Sequence, residues 1–287
     1  MESTASLAIG TLLSQGGASL AAHSSARLDA ELLLAHVLHC PRSALLRDAE
    51  HLVSTEECAE FRALVARRAR GEPLAYLTGR REFWSLPLRV SPAVLIPRPE
   101  TELVVERSLA LLGTAAARVA DLGTGSGAIA LALAAERPHW EITATDRSAE
   151  ALAIAADNAR ALGLPNIRFV RGDWFEPLEG ERFALIASNP PYIADGDPAL
   201  HHAALQHEPR AALVSGPLGL RALEQIILAA RAHLLPDGYL VLEHGTAQAA
   251  AVGAALVVAG FANVRCHRDL AGHERVTEAR AAGLGDT

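Results

Sequence analysis

Two periodicities divide the chain. Up to about residue 80 the apolar positions recur at helical spacing. Leu7, Ile9, Leu12 and Leu13 begin one stripe, and Leu28, Leu32, Leu33, Val37 and Leu38 form a second. Ser54 and Glu57 have the spacing of a capping box. The helix they open carries Glu56, Glu57 and Glu60 early and Arg67, Arg68 and Arg70 late, the charge order that suits the helix dipole. Gly71 is a good stop. This pattern predicts a small helical domain over residues 1–79, with its arginines at a solvated helix end rather than in a nucleic-acid patch. Residues 80–99 change character. Glu82-Phe83-Trp84 and Leu86 to Val90 look extended, and Pro87, Pro92, Pro97 and Pro99 break any helix, so a β-hairpin or extended linker is expected there. A helical pattern resumes from Glu100 to Leu112.

From about residue 117 strand and helix alternate. Arg118 to Leu122, Glu141 to Thr145, Ile167 to Val170, Phe183 to Ala187 and Tyr239 to Leu242 are candidate strands. Helical runs lie between the early ones, notably Ala128 to Glu136 and Ala149 to Leu162. Phe261 to His267 and Arg275 to Ala281 suit a final strand pair. The alternation predicts an α/β fold with a parallel, doubly wound sheet over residues 100–287.

Composition narrows the chemistry. The 287 residues suffice for one medium domain plus a small one, and half of them are apolar. Every basic residue is arginine, which excludes a P-loop lysine, a Schiff base and a pyridoxal cofactor. The formal net charge of −7 argues against a protein built mainly to grip nucleic acid. Cys40, Cys58 and Cys266 are isolated, suggesting neither disulfides nor zinc, and they fit a reducing cytosol. No signal peptide or membrane-spanning run is read. His201, His202 and His207 fall in a polar stretch without a supporting ligand pattern, so no metal is expected.

Two stretches carry candidate chemistry. Asp121-Leu122-Gly123-Thr124-Gly125-Ser126-Gly127 closes one strand and opens a helix. Its glycines let backbone approach a ligand, and the helix start offers free N–H groups. Asp146 ends the next strand, where a carboxylate accepts from both ribose hydroxyls. Trp174 follows the third strand and offers a face to an adenine. Gly123, Gly125 and Ala128 also satisfy the dinucleotide pattern G-x-G-x-x-A, so a nicotinamide-dependent oxidoreductase competes on this stretch alone. The second stretch is Asn189-Pro190-Pro191-Tyr192, at the end of a buried strand that the prolines terminate. It is stiff, rich in acceptors and has one aromatic wall. That suits a planar group bearing an NH2. Asn189 and the Pro190 carbonyl would accept its two hydrogens and Tyr192 would pack on its plane. An amide nitrogen is a poor nucleophile because its lone pair is delocalised, and two such acceptors would favour a localised pair.

Asn189 to Tyr192 resembles the motif of methyltransferases that use S-adenosylmethionine on planar exocyclic nitrogens, in adenine or in glutamine. The resemblance extends further. Ala75-Tyr76-Leu77-Thr78-Gly79, Glu82-Phe83-Trp84, Ile96 to Glu102, Glu208-Pro209-Arg210-Ala211-Ala212-Leu213, Leu242-Glu243-His244-Gly245 and Arg268 to Val276 are similar to stretches of the protein-glutamine methyltransferases of peptide chain release factors, the HemK/PrmC family. The resemblance runs from about residue 75 to 281. It implies a class I S-adenosylmethionine-dependent fold, Rossmann-like with a mostly parallel seven-stranded sheet, preceded by a small helical domain, for which substrate docking is this reading's own expectation. It implies methylation of the side-chain amide nitrogen of the glutamine in a Gly-Gly-Gln tip. Cofactor contacts would fall on Gly123, Thr124, Gly125, Ser126, Gly127, Asp146, Trp174 and Asn189. Substrate contacts would fall on Asn189, Pro190, Pro191 and Tyr192, with Asn189, Pro190 and Tyr192 catalytic. His244 and His273 lie in family-like stretches without an assignable role. A monomeric cytoplasmic enzyme without stable nucleic-acid binding is expected; a nucleic-acid adenine methyltransferase and an inactive cofactor-binding platform are the competing readings.

Overall fold

The computed structural model describes residues 6–282; residues 1–5 and 283–287, at the two ends of the expected domains, lie outside the described residues. The chain divides into two units, Met1–Gly79 with His201–His207, and Arg80–Leu200 with Glu208–Thr287. The polar histidine stretch is thus part of the first unit, although it lies far along the chain from the boundary at residue 79.

The first unit is helical because its apolar stripes close on one another. Helices Ile9–Ser19, Ala26–Val37 and Thr55–Ala69 bury Leu12, Leu33, Leu34, Cys58 and Phe61 in a common core. Gly16 is small because Phe61 lies against it; a Cβ there would stand 2.7 Å from the ring. The Ser54–Glu57 capping box forms in full: Glu57 N–H donates to Ser54 Oγ at 3.2 Å, and Ser54 N–H donates to Glu57 Oε2 at 3.0 Å. Leu7 and Ala8 depart from the expected helix and pair with Leu52 and Val53 as a two-residue antiparallel ribbon.

The second unit is built on a seven-stranded sheet. Its strands are β1 (Arg118–Leu122), β2 (Glu141–Asp146), β3 (Ile167–Arg171), β4 (Phe183–Ser188), β5 (Leu234–Glu243), β6 (Phe261–Arg268) and β7 (Glu274–Ala281). They lie in the order β3-β2-β1-β4-β5-β7-β6, with only β7 antiparallel to its neighbours. This is the class I methyltransferase sheet. β1 and β4 are buried almost throughout because helices cover both faces of the sheet. The expected strand from Tyr239 begins earlier, at Leu234. Pro236, Asp237 and Gly238 lie in an irregularity between the Phe183–Leu234 and Leu185–Tyr239 pairs, so the turn-like residues are taken up without ending the strand.

The expected hairpin forms from Arg80–Phe83 and Leu86–Arg89 and belongs to the second unit. Its two-residue turn puts Trp84 and Ser85 at φ 51° and 58°, a left-handed pair that usually recruits Asn or Gly. Glu102 and Glu136 hold it, accepting the Trp84 backbone and indole N–H groups at 2.9 and 2.8 Å. Ser54→Ala removes the cap acceptor of the longest helix in the first unit and should cost about 1 kcal/mol of that helix's stability. Native-state hydrogen exchange over Thr55–Ala69 reads this directly, and unchanged protection there would show that the cap is not stabilising.

Candidate active site

Four strands end on one edge of the sheet and carry the site. After β1 the chain turns through Gly123–Gly127 into the helix Ala128–Glu136. Gly127 closes this turn at φ 89°, where a Cβ would stand 2.8 Å from Leu131 Cδ1 and 3.2 Å from Ala155 Cβ. Gly125, at φ 58°, instead faces open space, and its N–H donates to Asp146 Oδ2 at 2.9 Å. The other oxygen of Asp146 accepts from Ser148 N–H at 2.9 Å. Each carboxylate oxygen keeps acceptor capacity beyond these bonds. Trp174 takes a left-handed backbone (φ 47°), its carbonyl accepts from Thr145 Oγ1 at 3.2 Å, and its ring lies against Gly123.

Asn158 braces the loop from behind. Its Nδ2 donates to the carbonyls of Ser126 and Arg89 at 2.9 and 3.1 Å, and its Oδ1 accepts from Arg89 N–H at 2.8 Å. The glycine turn and the hairpin are therefore fixed to one buried side chain.

Asn189 follows β4. Its Nδ2 donates to Thr101 Oγ1 at 3.0 Å, which leaves Oδ1 as the free acceptor. Tyr192 is held at both ends: its hydroxyl donates to Glu243 Oε1 at 3.1 Å, and its carbonyl accepts from Gln248 Nε2 at 3.0 Å. Two family-like stretches clasp each other nearby. Glu208 accepts from Ile96 N–H at 3.2 Å and pairs with the Arg98 guanidinium.

These parts surround a cavity of about 480 Å³. Gly123, Thr124, Gly125, Ser126, Asp146, Trp174, Asn189 and Pro191 line it, with Thr101 and parts of the 92–97 and 209–216 stretches. Gly127, Pro190 and Tyr192 do not: Gly127 caps the helix, Pro190 is buried, and the Tyr192 ring packs on the core that contains Ile186, Leu240 and Leu242. His244 and His273 are also outside it. His244 is buried between Thr277 Oγ1 (2.8 Å) and the Gly245 carbonyl (3.0 Å), and burial pushes its pKa down. His273 is exposed, and its backbone N–H donates to Asp269 at 2.9 Å. Sequence reasoning missed Thr101, Asn158 and Glu243 as parts of the site. Thr101 and Glu243 stand inside family-like stretches, whereas nothing local marks Asn158.

Two buried carboxylates sit beneath the cavity. Asp121 Oδ2 accepts from Thr124 Oγ1 at 2.6 Å and Ala130 N–H at 3.2 Å, while Oδ1 is buried with no hydrogen-bond partner. Burial pushes its pKa up to about 7, against those two bonds. Glu243, at the end of β5, is likewise pushed up to about 7 by burial, with Thr101 and Tyr192 pulling it back.

A sheet of this order, with a glycine turn after its first strand and an acidic residue after its second, defines a class I methyltransferase. Known proteins identify the family more closely. A PrmC N-terminal domain model matches residues 11–79, and a methyltransferase small domain model matches residues 101–251. A release factor glutamine methyltransferase of Xylella fastidiosa strain Temecula1 is 53% identical over 259 residues, covering 90% of this chain and 94% of its own. That of Escherichia coli strain K12 is 49% identical over 261 residues, covering 91% and 94%. The chain belongs to the release factor glutamine methyltransferase family. Among solved structures, the Thermus thermophilus 16S rRNA N2 G1207 methyltransferase, in complex with AdoMet and guanosine, shares the fold. Its TM-score is 0.54 at 20% identity, covering 70% of this chain and 49% of that one.

The raised pKa of Asp121 has a stability consequence. Between its unfolded value of 3.8 and about 7 the folded protein binds more proton, so its contribution to stability falls as pH rises through that window. Asp121→Asn removes this dependence. Urea denaturation of the ligand-free protein between pH 4 and 8 should show wild type losing up to roughly 4 kcal/mol more than the variant. Parallel curves would mean that Asp121 ionises normally.

Proposed function

We propose that this chain transfers the methyl group of S-adenosylmethionine to the side-chain amide nitrogen of the glutamine in the Gly-Gly-Gln tip of a peptide chain release factor. The observation that carries the reading is Asn189 and Pro191 at the wall of the same cavity that the glycine turn and Asp146 line, in a chain about half identical to release factor glutamine methyltransferases.

The residues present fit the cofactor. Asp146 has acceptor capacity left for ribose hydroxyls, and Gly125 leaves open the space a side chain would take. Thr124 and Ser126 complete the turn, and Trp174 supplies an aromatic wall. Behind the turn, Asp121 Oδ2 accepts from Thr124 Oγ1 at 2.6 Å and so fixes one residue of the cavity wall. The Thermus thermophilus neighbour was solved with AdoMet, which supports the same choice. When bound, S-adenosylmethionine supplies an electrophilic methyl group on a sulfonium and leaves as a neutral thioether.

The chain's own task is then positioning. Asn189 Oδ1 and the Pro190 carbonyl accept the two hydrogens of the substrate amide and favour a nitrogen lone pair directed at the methyl group. Pro190 and Pro191 keep the acceptors rigid. Tyr192, tied through its hydroxyl to Glu243 with its ring on the core, anchors the far end of the acceptor loop. No oxyanion forms, so no anion hole is needed. The nitrogen becomes positively charged as the N–C bond forms, and it sheds its proton afterwards; Asn189 is no base.

The helical unit is the proposed docking element for the release factor, supported by its match to a domain model of the same family. A cytosolic location accords with three cysteines that are all free. No helix among the described residues is long and apolar enough to cross a membrane.

The test is transfer from methyl-labelled S-adenosylmethionine offered in parallel to a purified release factor, its Gly-Gly-Gln glutamine-to-alanine variant, and double-stranded DNA. Label should appear on the unaltered factor alone. Label on the alanine variant would move the target residue, and label on DNA would overturn the assignment of substrate.

A further inference from the structure

The side chain of Gln248 joins three loops behind the acceptor stretch. Its Oε1 accepts from Gly245 N–H at 2.9 Å, and its Nε2 donates to the carbonyls of Tyr192 at 3.0 Å and Leu218 at 3.2 Å. Only one orientation of the carboxamide satisfies this set, because one end meets a donor and the other meets two acceptors. Gln248 directly precedes the helix Ala249–Val258. Its own N–H donates to the Gly245 carbonyl at 2.9 Å, and its carbonyl accepts from Val252 N–H at 3.0 Å. The backbone that carries the amide is thus fixed by a turn on one side and a helix on the other.

A second residue lies against the same bond. Gly219 has φ 71°, and a Cβ there would collide with the Tyr192 carbonyl oxygen and stand 2.9 Å from Gln248 Nε2. Beyond Tyr192 the chain is held again, since Ile193 N–H donates to the Leu213 carbonyl and Ser215 N–H donates to the Ile193 carbonyl, both at 2.9 Å. Tyr192 closes the acceptor stretch. The two prolines before it have fixed φ and no N–H to bond. The Pro190 carbonyl therefore takes its direction from the anchored residues at the two ends, Asn189 and Tyr192. Asn189 and Pro191 line the cavity, whereas Gln248 and Gly219 do not.

We propose that Gln248 is a positioning residue for methyl transfer, whose NH2 anchors the Tyr192 carbonyl and so sets the Pro190 carbonyl against the substrate amide. The proposal rests on the reading of Asn189 and the Pro190 carbonyl as acceptors for that amide.

Substitutions of similar length separate the two ends of the Gln248 side chain. Gln248→Glu keeps an oxygen for Gly245 N–H but opposes a second oxygen to the carbonyls of Tyr192 and Leu218. Gln248→Met removes both ends. A role confined to the turn before the helix would leave the Glu variant close to wild type, because the Gly245 bond persists and a carboxylate suits a helix start. A role through Tyr192 makes the Glu variant at least as slow as the Met variant. Gly219→Ala attacks the Tyr192 carbonyl from the other side and leaves the Gly245 bond in place.

The experiment measures single-turnover methyl transfer to a release factor at pH 8, where a half-buried surface carboxylate is ionised. Cofactor and factor are both saturating, and cofactor affinity is measured by calorimetry on each protein. Gln248→Glu should be slowed about 10-fold or more, no less than Gln248→Met, with cofactor affinity within about 3-fold of wild type. Gly219→Ala should be slowed likewise, and adding Gln248→Met to it should bring little further loss. If Gln248→Glu fails to fold, Gly219→Ala decides the matter: a slowed rate with cofactor affinity kept supports the anchor, and a wild-type rate overturns it. A wild-type rate in Gln248→Glu, losses that multiply in the double variant, or cofactor affinity falling in step with rate would each overturn it too. No transfer by wild type itself would instead overturn the parent reading, and the anchor with it.

Discussion

The structure depends on one junction, where β1 and β4 end side by side. Leu122 pairs with Ser188, and the Ser188 hydroxyl, fully buried, donates to the Leu122 carbonyl at 2.7 Å. The next residues are Gly123 on one strand and Asn189 on the other. A parallel sheet changes direction at this point, because the chain runs outward from β1 to β3 and returns to place β4 on the opposite side. Such a switch point opens a crevice at the carboxyl ends of the strands. The pairing therefore sets, with no ligand present, how far the glycine turn lies from the rigid acceptor loop.

Around that crevice polar groups are buried at a cost and compensated by specific partners. Asp121, next to the last residue of β1, and Glu243, the last of β5, hold their carboxyls out of water, and each keeps one oxygen without a partner. Asn158 and Glu208 are also buried, and the bonds from Asn158 to Ser126 and from Ile96 to Glu208 secure two stretches that border the cavity. Sites that act on a ligand commonly concentrate groups that would be destabilising elsewhere. The aliphatic core supports this, since Val119, Ala120, Leu185, Ile186 and Ala187 pack both faces of the central strands completely.

Much of the fold was legible because its signals are local. The glycine turn needs three positive φ angles, which glycine supplies openly in the sequence at Gly123, Gly125 and Gly127. The helix after Ser54 announces its own cap, and Pro190 marks the end of β4. What was illegible is set by distant partners. Leu7 and Ala8 carry an apolar stripe that suits a helix, and only Leu52 and Val53 turn them into a ribbon. Pro236 and Gly238 read as a break, but the neighbouring strand keeps β5 running through them. In the site, Asn189 and Asp146 stand at strand ends and could be named from spacing. Thr101 and Asn158 act across 88 and 69 residues of chain, through contacts that no local pattern carries. The expected place of Tyr192 needs refinement for the same reason: its hydroxyl partner, Glu243, is 51 residues away and draws the ring toward the core.

The most direct measurement is the single-turnover rate of Asn189→Ala, with cofactor and release factor both saturating and cofactor affinity determined separately. If the acceptor at the end of β4 orients the substrate nitrogen, the rate should fall by about 100-fold or more while the fold and the glycine-turn site survive. Cofactor affinity should then change far less than the rate. A rate close to wild type in that variant would contradict the claim that the β1–β4 junction positions the acceptor for methyl transfer.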